Sequence, residues 1–100
     1  MSSHAGYAQA NLGDADLANI MPRLAAEPGL ISLELQGNAI TRLPPPAVFS
    51  ALRAVQFLDL EANPLENVHA VIASLQALPA LRELRITLSD EDEEVRERRE

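Results

Sequence analysis

One hundred residues make one small domain at most, and a hydrophobic content of 47% at a mean hydropathy of −0.04 belongs to a chain that folds rather than staying disordered. Fifteen acids against eight basic residues leave a formal charge of −7, and all eight bases are arginine without forming a basic stripe; nucleic acid and anionic membrane are therefore poor partners. Zero cysteines exclude a disulfide framework and thiolate metal ligands, and no apolar run is long enough for a transmembrane helix.

Taken in order, residues 1–13 are small and polar apart from Tyr7 and Leu12, and read as a loose N-terminal leader. The polar start lacks a signal peptide's charged and apolar regions, so the expected address is intracellular and cytoplasmic. From Asp14 the pattern changes: Leu17, Ile20, Met21 and Leu24 fall on one helical face, with Asp14 or Asp16 as N-cap and Pro28-Gly29 as the stop. This gives a helix over 14–27. Pro22 conflicts with it unless the first turn starts late, near Met21, because a proline inside a helix removes a hydrogen bond. The helix is expected to cover the unprotected edge of the first strand, as a cap.

Leu30, Leu33, Leu35 and Asn38, followed by Ile40, stand at L-x-x-L-x-L-x-x-N. Val55, Leu58, Leu60 and Asn63, followed by Leu65, repeat the pattern 25 residues later, and Leu81, Leu84, Ile86 and Ser89 repeat it imperfectly after a further 26. Alternation within each copy places Leu33 and Leu35 inward and Ser32, Glu34 and Gln36 outward. Between the first two copies Pro44-Pro45-Pro46 predicts an extended lead-in to a short helix carrying Phe49 and Leu52. Between the second and third, Asn67 predicts an N-cap for a helix with Val68, Val71, Ile72, Leu75 and Leu78 as its core stripe, ended by Pro79. Residues 89–100 hold seven acids, three arginines and a single apolar residue; this acidic tail reads as a solvated or frayed helix.

The repeated L-x-x-L-x-L-x-x-N, with its period, resembles the leucine-rich repeat family, of the intracellular type without cysteine caps. The resemblance covers roughly residues 17–88. It implies an α/β fold, a short solenoid with a parallel sheet of about three strands on the concave face and helices on the convex side, with repeats starting near residues 30, 55 and 81. It also implies that Asn38 and Asn63 stack as a structural ladder, which Ser89 cannot continue.

In register, the outward positions form three columns: Ser32, Phe57 and Glu83; Glu34, Asp59 and Arg85; Gln36, Glu61 and Thr87. The concave surface is the usual docking face in proteins of this kind. Partner-binding residues are accordingly expected at Glu34, Gln36, Phe57, Asp59, Glu61, Glu83 and Arg85, and a basic or amphipathic protein segment is the expected partner. A plainer reading leaves the acids solvated and has Arg85 neutralise Asp59. Glu34 and Asp59 on adjacent strands lack the pocket that general acid–base work needs, and neither His4 nor His69 has a second ligand at i+4. No phosphate-binding or nucleophile motif is present, so no catalytic residue, metal or cofactor is expected and the chain is read as non-enzymatic.

Two functions follow. The first is a protein-interaction module. The second is a structural segment or small subunit of a larger assembly, cytoskeletal or ciliary, whose open last strand is completed by a neighbour; edge-to-edge self-association through residues 81–88 belongs with it.

Overall fold

The computed structural model describes residues 3–87. It is an α/β fold in which strands β1 (Ser3–Gly6), β2 (Leu30–Glu34), β3 (Phe57–Leu60) and β4 (Glu83–Ile86) alternate with helices α1 (Asp14–Ala25), α2 (Pro46–Phe49) and α3 (Val68–Gln76). The strands form one parallel sheet in the order β1-β2-β3-β4. The acidic tail 89–100 and Ser89 lie outside the described residues.

Four strands, rather than about three, is the first departure from expectation, and the extra one comes from the supposed leader. β1 pairs with β2 in parallel, and the chain beyond it continues the ladder through Tyr7 N–H to Glu34 O (2.8 Å) and Gln9 N–H to Gln36 O (2.9 Å). A loose leader would leave those carbonyls on an open edge. Main-chain pairing satisfies them without demanding an apolar pattern from the added strand. The edge of β2 is therefore covered by β1 and not by α1.

Helix α1 runs through Pro22 without a late start. Pro22 is exposed, so the Ala18 carbonyl that loses its N–H donor lies on the wet side of the helix while Leu17, Met21 and Leu24 stay buried. The N-cap is Gly13, whose N–H donates back to Asp16 Oδ2 at 2.9 Å. Asp14 is occupied elsewhere, accepting from Thr41 Oγ1, from the Thr41 N–H (2.7 Å) and from the Arg42 N–H (3.1 Å). It thereby ties the start of α1 to the loop after β2.

In α2, Pro46 takes the first position, where its missing N–H costs nothing. In α3, Asn67 caps as its sequence position predicts, Oδ1 accepting from the Ala70 N–H at 3.2 Å. The stripe holds at Val71, Leu75 and Leu78 and differs at two residues: Val68 is half-buried outside the core and Ile72 is 39% exposed, while Ser74 is buried and donates its hydroxyl to Pro44 O at 2.6 Å. Ser74 thus locks α3 to the proline segment.

One core lies behind the sheet: Leu33, Leu35, Leu58 and Leu60 from the strands, Leu17, Met21 and Leu24 from α1, with Phe49, Leu52, Val71 and Leu78. Asn38 and Asn63 sit buried where the chain leaves β2 and β3. Asn63 Nδ2 donates to Leu35 O (2.8 Å) and Leu60 O (3.1 Å), and its Oδ1 accepts from the Ile40 N–H (3.1 Å). Asn38 Oδ1 accepts from Ala10 and Leu12, both at 3.0 Å. Each amide thus serves turn groups that an apolar side chain would leave unpaired.

Candidate functional site

Pleating sends alternate residues to opposite faces of the sheet, so the same alternation that buries Leu33 and Leu58 puts a polar set on the other face. Two of the three columns appear in the strand pairing: Ser32 beside Phe57 beside Glu83, and Glu34 beside Asp59 beside Arg85. β1 extends them with His4 next to Ser32 and Gly6 next to Glu34. Gln36, Glu61 and Thr87 lie just past the strands, where Gly37 N–H reaches Glu61 O (2.9 Å) and Ala62 N–H reaches Thr87 Oγ1 (3.1 Å).

The seven expected contact residues differ in what they offer. Glu61, Glu83 and Arg85 are exposed, and Glu34, Gln36 and Phe57 are half-buried. Asp59 is only 5% exposed, because Glu34 and Arg85 flank it on both sides. Its Oδ1 accepts from the Glu61 N–H at 3.0 Å, and it has no ion-pair partner among the described residues. The plainer reading's neutralisation of Asp59 by Arg85 has no ion pair behind it among the described residues. Arg85 Nε lies 3.4 Å from Glu83 Oε2, and its guanidinium lies over the Phe57 ring at 5.7 Å from the centroid. A guanidinium is weakly hydrated and stacks readily on a ring, which favours the aromatic seat over reaching a shielded carboxylate.

Gln36 adds an unmet acceptor. Its Nε2 donates to Glu34 Oε1 at 3.0 Å, an orientation forced by a carboxylate that can only accept. Its Oε1 is consequently turned inward, buried and without a donor. Across Glu34, Asp59 and Glu61 the face is rich in acceptors and short of donors.

No family model, curated protein or solved structure matches this chain.

His4, which the sequence places in a leader, is part of that face. Its Nε2 lies 2.9 Å from Glu34 Oε2 and its Nδ1 lies 3.0 Å from Ser32 Oγ. Glu34 can only accept, so Nε2 carries a proton, and in the neutral ring Nδ1 accepts from the Ser32 hydroxyl. Hydroxyl, imidazole and carboxylate in a row is the order of an activated nucleophile. The His4 side chain is nevertheless 52% exposed on an open sheet, whereas such a relay works from a water-excluded pocket. The geometry accounts for something simpler, the lateral anchoring of β1 to β2. No feature of the sequence around His4 announces this, since Ser3–Gly6 has neither the length nor the apolar alternation of a strand.

Away from this face, a cleft of about 780 Å³ lies between the proline segment and α3, lined among others by Arg42, Pro45, Glu66, Asn67 and Ala70. Arg42 and Glu66 are of opposite sign, so it carries no preference for a charged ligand. Among the described residues no three His, Cys, Asp or Glu side chains are grouped to hold a metal ion, and no helix is long and apolar enough to cross a membrane.

Proposed function

We propose that the chain is a non-enzymatic protein-interaction module of the leucine-rich repeat type, taking a basic or amphipathic protein segment on the acidic face of its sheet. The observation that carries this reading is the surplus of acceptors: four carboxylates, Glu34, Asp59, Glu61 and Glu83, share a face with the guanidinium of Arg85. Arginine or lysine side chains of a partner supply donors and charge together. Phe57, half-buried under Arg85, offers a ring on which a partner's guanidinium can stack in the same way.

The test is a titration of the full chain with a labelled peptide alternating arginine and leucine, against a glutamate–leucine peptide of equal length. Saturable binding of the arginine peptide alone is expected, with affinity falling as salt rises through the range where the screening length drops below about 8 Å. Glu61→Arg, at an exposed position, should weaken it at least about tenfold. Asp59 is unsuitable for reversal because its burial would confuse loss of contact with loss of fold. Equal binding of the two peptides, or of Glu61→Arg and the native chain, would remove the docking face.

A second reading, a structural piece of a larger assembly, is supported by β4. Its inward residue Leu84 is 37% exposed, although its register neighbours Leu33 and Leu58 are fully buried.

A further inference from the structure

We propose that the edge of β4 that no other described strand pairs takes β4 of a second copy of this chain, antiparallel, with the two-fold axis passing between the two Leu84 residues. Glu83 and Arg85 also belong to the docking face, but the proposal does not require that face to bind a peptide, and the oligomeric state reads it separately.

Three observations converge on it. The first is the direction of the main-chain groups. Glu83 directs its N–H to Gln56 O on the β3 side (2.9 Å), and successive residues of a strand present their N–H and C=O to alternate sides. Leu84 therefore turns both groups to the open edge, where two Leu84 residues related by a two-fold axis exchange both bonds with each other.

The second is charge. Antiparallel pairing centred on Leu84 places Glu83 of one copy opposite Arg85 of the other, and Arg85 opposite Glu83. Both residues are exposed and on the same face. Charged side chains on an edge strand ordinarily prevent pairing. Opposite charges set symmetrically about one residue do the reverse for a two-fold copy, because each like-signed alternative is avoided by the register itself.

The third is apolar surface. On the inner face the exposed Leu84 meets its counterpart, and Ile86, half-buried, meets the aliphatic stem of Arg82. Two four-stranded sheets would join into one of eight strands, with no further open edge at β4.

Sedimentation equilibrium of the full chain, in salt sufficient to screen the −7 charge of each copy, is expected to give a concentration-dependent mass rising to twice 10.9 kDa. Glu83→Arg alone and Arg85→Glu alone should each raise the dimer dissociation constant by about tenfold or more, since each sets like charges across the axis. Mixed in equal amounts, the two variants should regain the native constant, because each copy then carries the charge its counterpart lacks. A folding defect cannot be rescued in this way, and circular dichroism of each variant checks the fold directly. A monomer at all concentrations, a dimer indifferent to both reversals, a mixture that fails to recover, or open-ended growth from β4 meeting β1 of the next copy would each overturn the two-fold pairing.

Discussion

Asn38 and Asn63 meet at one atom: the carbonyl oxygen of Leu35 accepts an Nδ2–H from each, at 2.9 and 2.8 Å. Asn38 belongs to the turn after β2 and Asn63 to the turn after β3, so this shared acceptor couples two successive units of the chain through side chains as well as through the sheet. Asn38 extends the link the other way, donating to Tyr7 O at 2.9 Å.

Removing Asn63 therefore strands groups in both units, whereas Asn38 serves its own turn and the segment after β1. Asn63→Ala should cost about 2–4 kcal/mol in urea unfolding, since the Ile40 N–H is left without its acceptor. Asn38→Ala should cost somewhat less, because the Ala10 and Leu12 N–H groups it releases lie nearer to solvent. The double variant should lose more than the two costs added, because either amide alone still serves the Leu35 oxygen and only their joint loss leaves that carbonyl without a side-chain donor. Strict additivity would show that the common carbonyl carries no coupling. Asn63→Asp should be worse than Asn63→Ala at neutral pH, because a carboxylate would face the Leu35 and Leu60 oxygens.

Asp14 makes the fold sensitive to acid. Burial tends to raise its pKa, but the hydrogen bonds from the Thr41 side chain and from the Thr41 and Arg42 N–H groups, with the charge of Arg42, outweigh this and hold it below the usual carboxylate range. A carboxyl with a depressed folded-state pKa contributes stability above its unfolded value and loses that contribution as pH falls through the folded one. Asp14→Asn should accordingly lower the melting temperature near pH 7 and converge with the native chain in the acid range below the usual aspartate pKa. The loss is about 1 kcal/mol, kept small by the exposure of the site. A gap between the two melting curves that stays constant down to the acid limit would assign the effect to packing instead.

His4 tests how β1 is held. Its contacts are half-exposed, so His4→Ala should cost under about 1 kcal/mol of global stability. Local opening of β1 should increase more visibly, read as faster hydrogen exchange at the Tyr7 and Gln9 amides with the α1 and α3 amides unchanged. Unchanged protection at Tyr7 would show that main-chain pairing holds β1 without the imidazole.

Legibility in the sequence followed periodicity. Leu33, Leu35, Leu58 and Leu60 were readable as core because strand alternation and a 25-residue repeat point to the same residues twice, and Asn67 was readable as a cap because its chemistry is local. The columns of the open face were readable for the same reason, down to the neighbours Glu34, Asp59 and Arg85. Ser3–Gly6 was not, since a strand recruited by a neighbour's free main-chain groups needs no side-chain signature. Pro22 misled because its cost depends on which side of the helix faces water.

By itself, then, the sequence determined which residues turn inward, where the chain turns, and which charges share a face, because these depend on spacing along one chain. Tertiary structure alone decided that β1 closes one edge, that Asp59 is shielded between its neighbours, that Arg85 sits on Phe57 and Glu83, and that Gln36 keeps an acceptor without a donor. Each of these is a competition among groups far apart in sequence for the same few ångströms, and only the folded arrangement sets their distances.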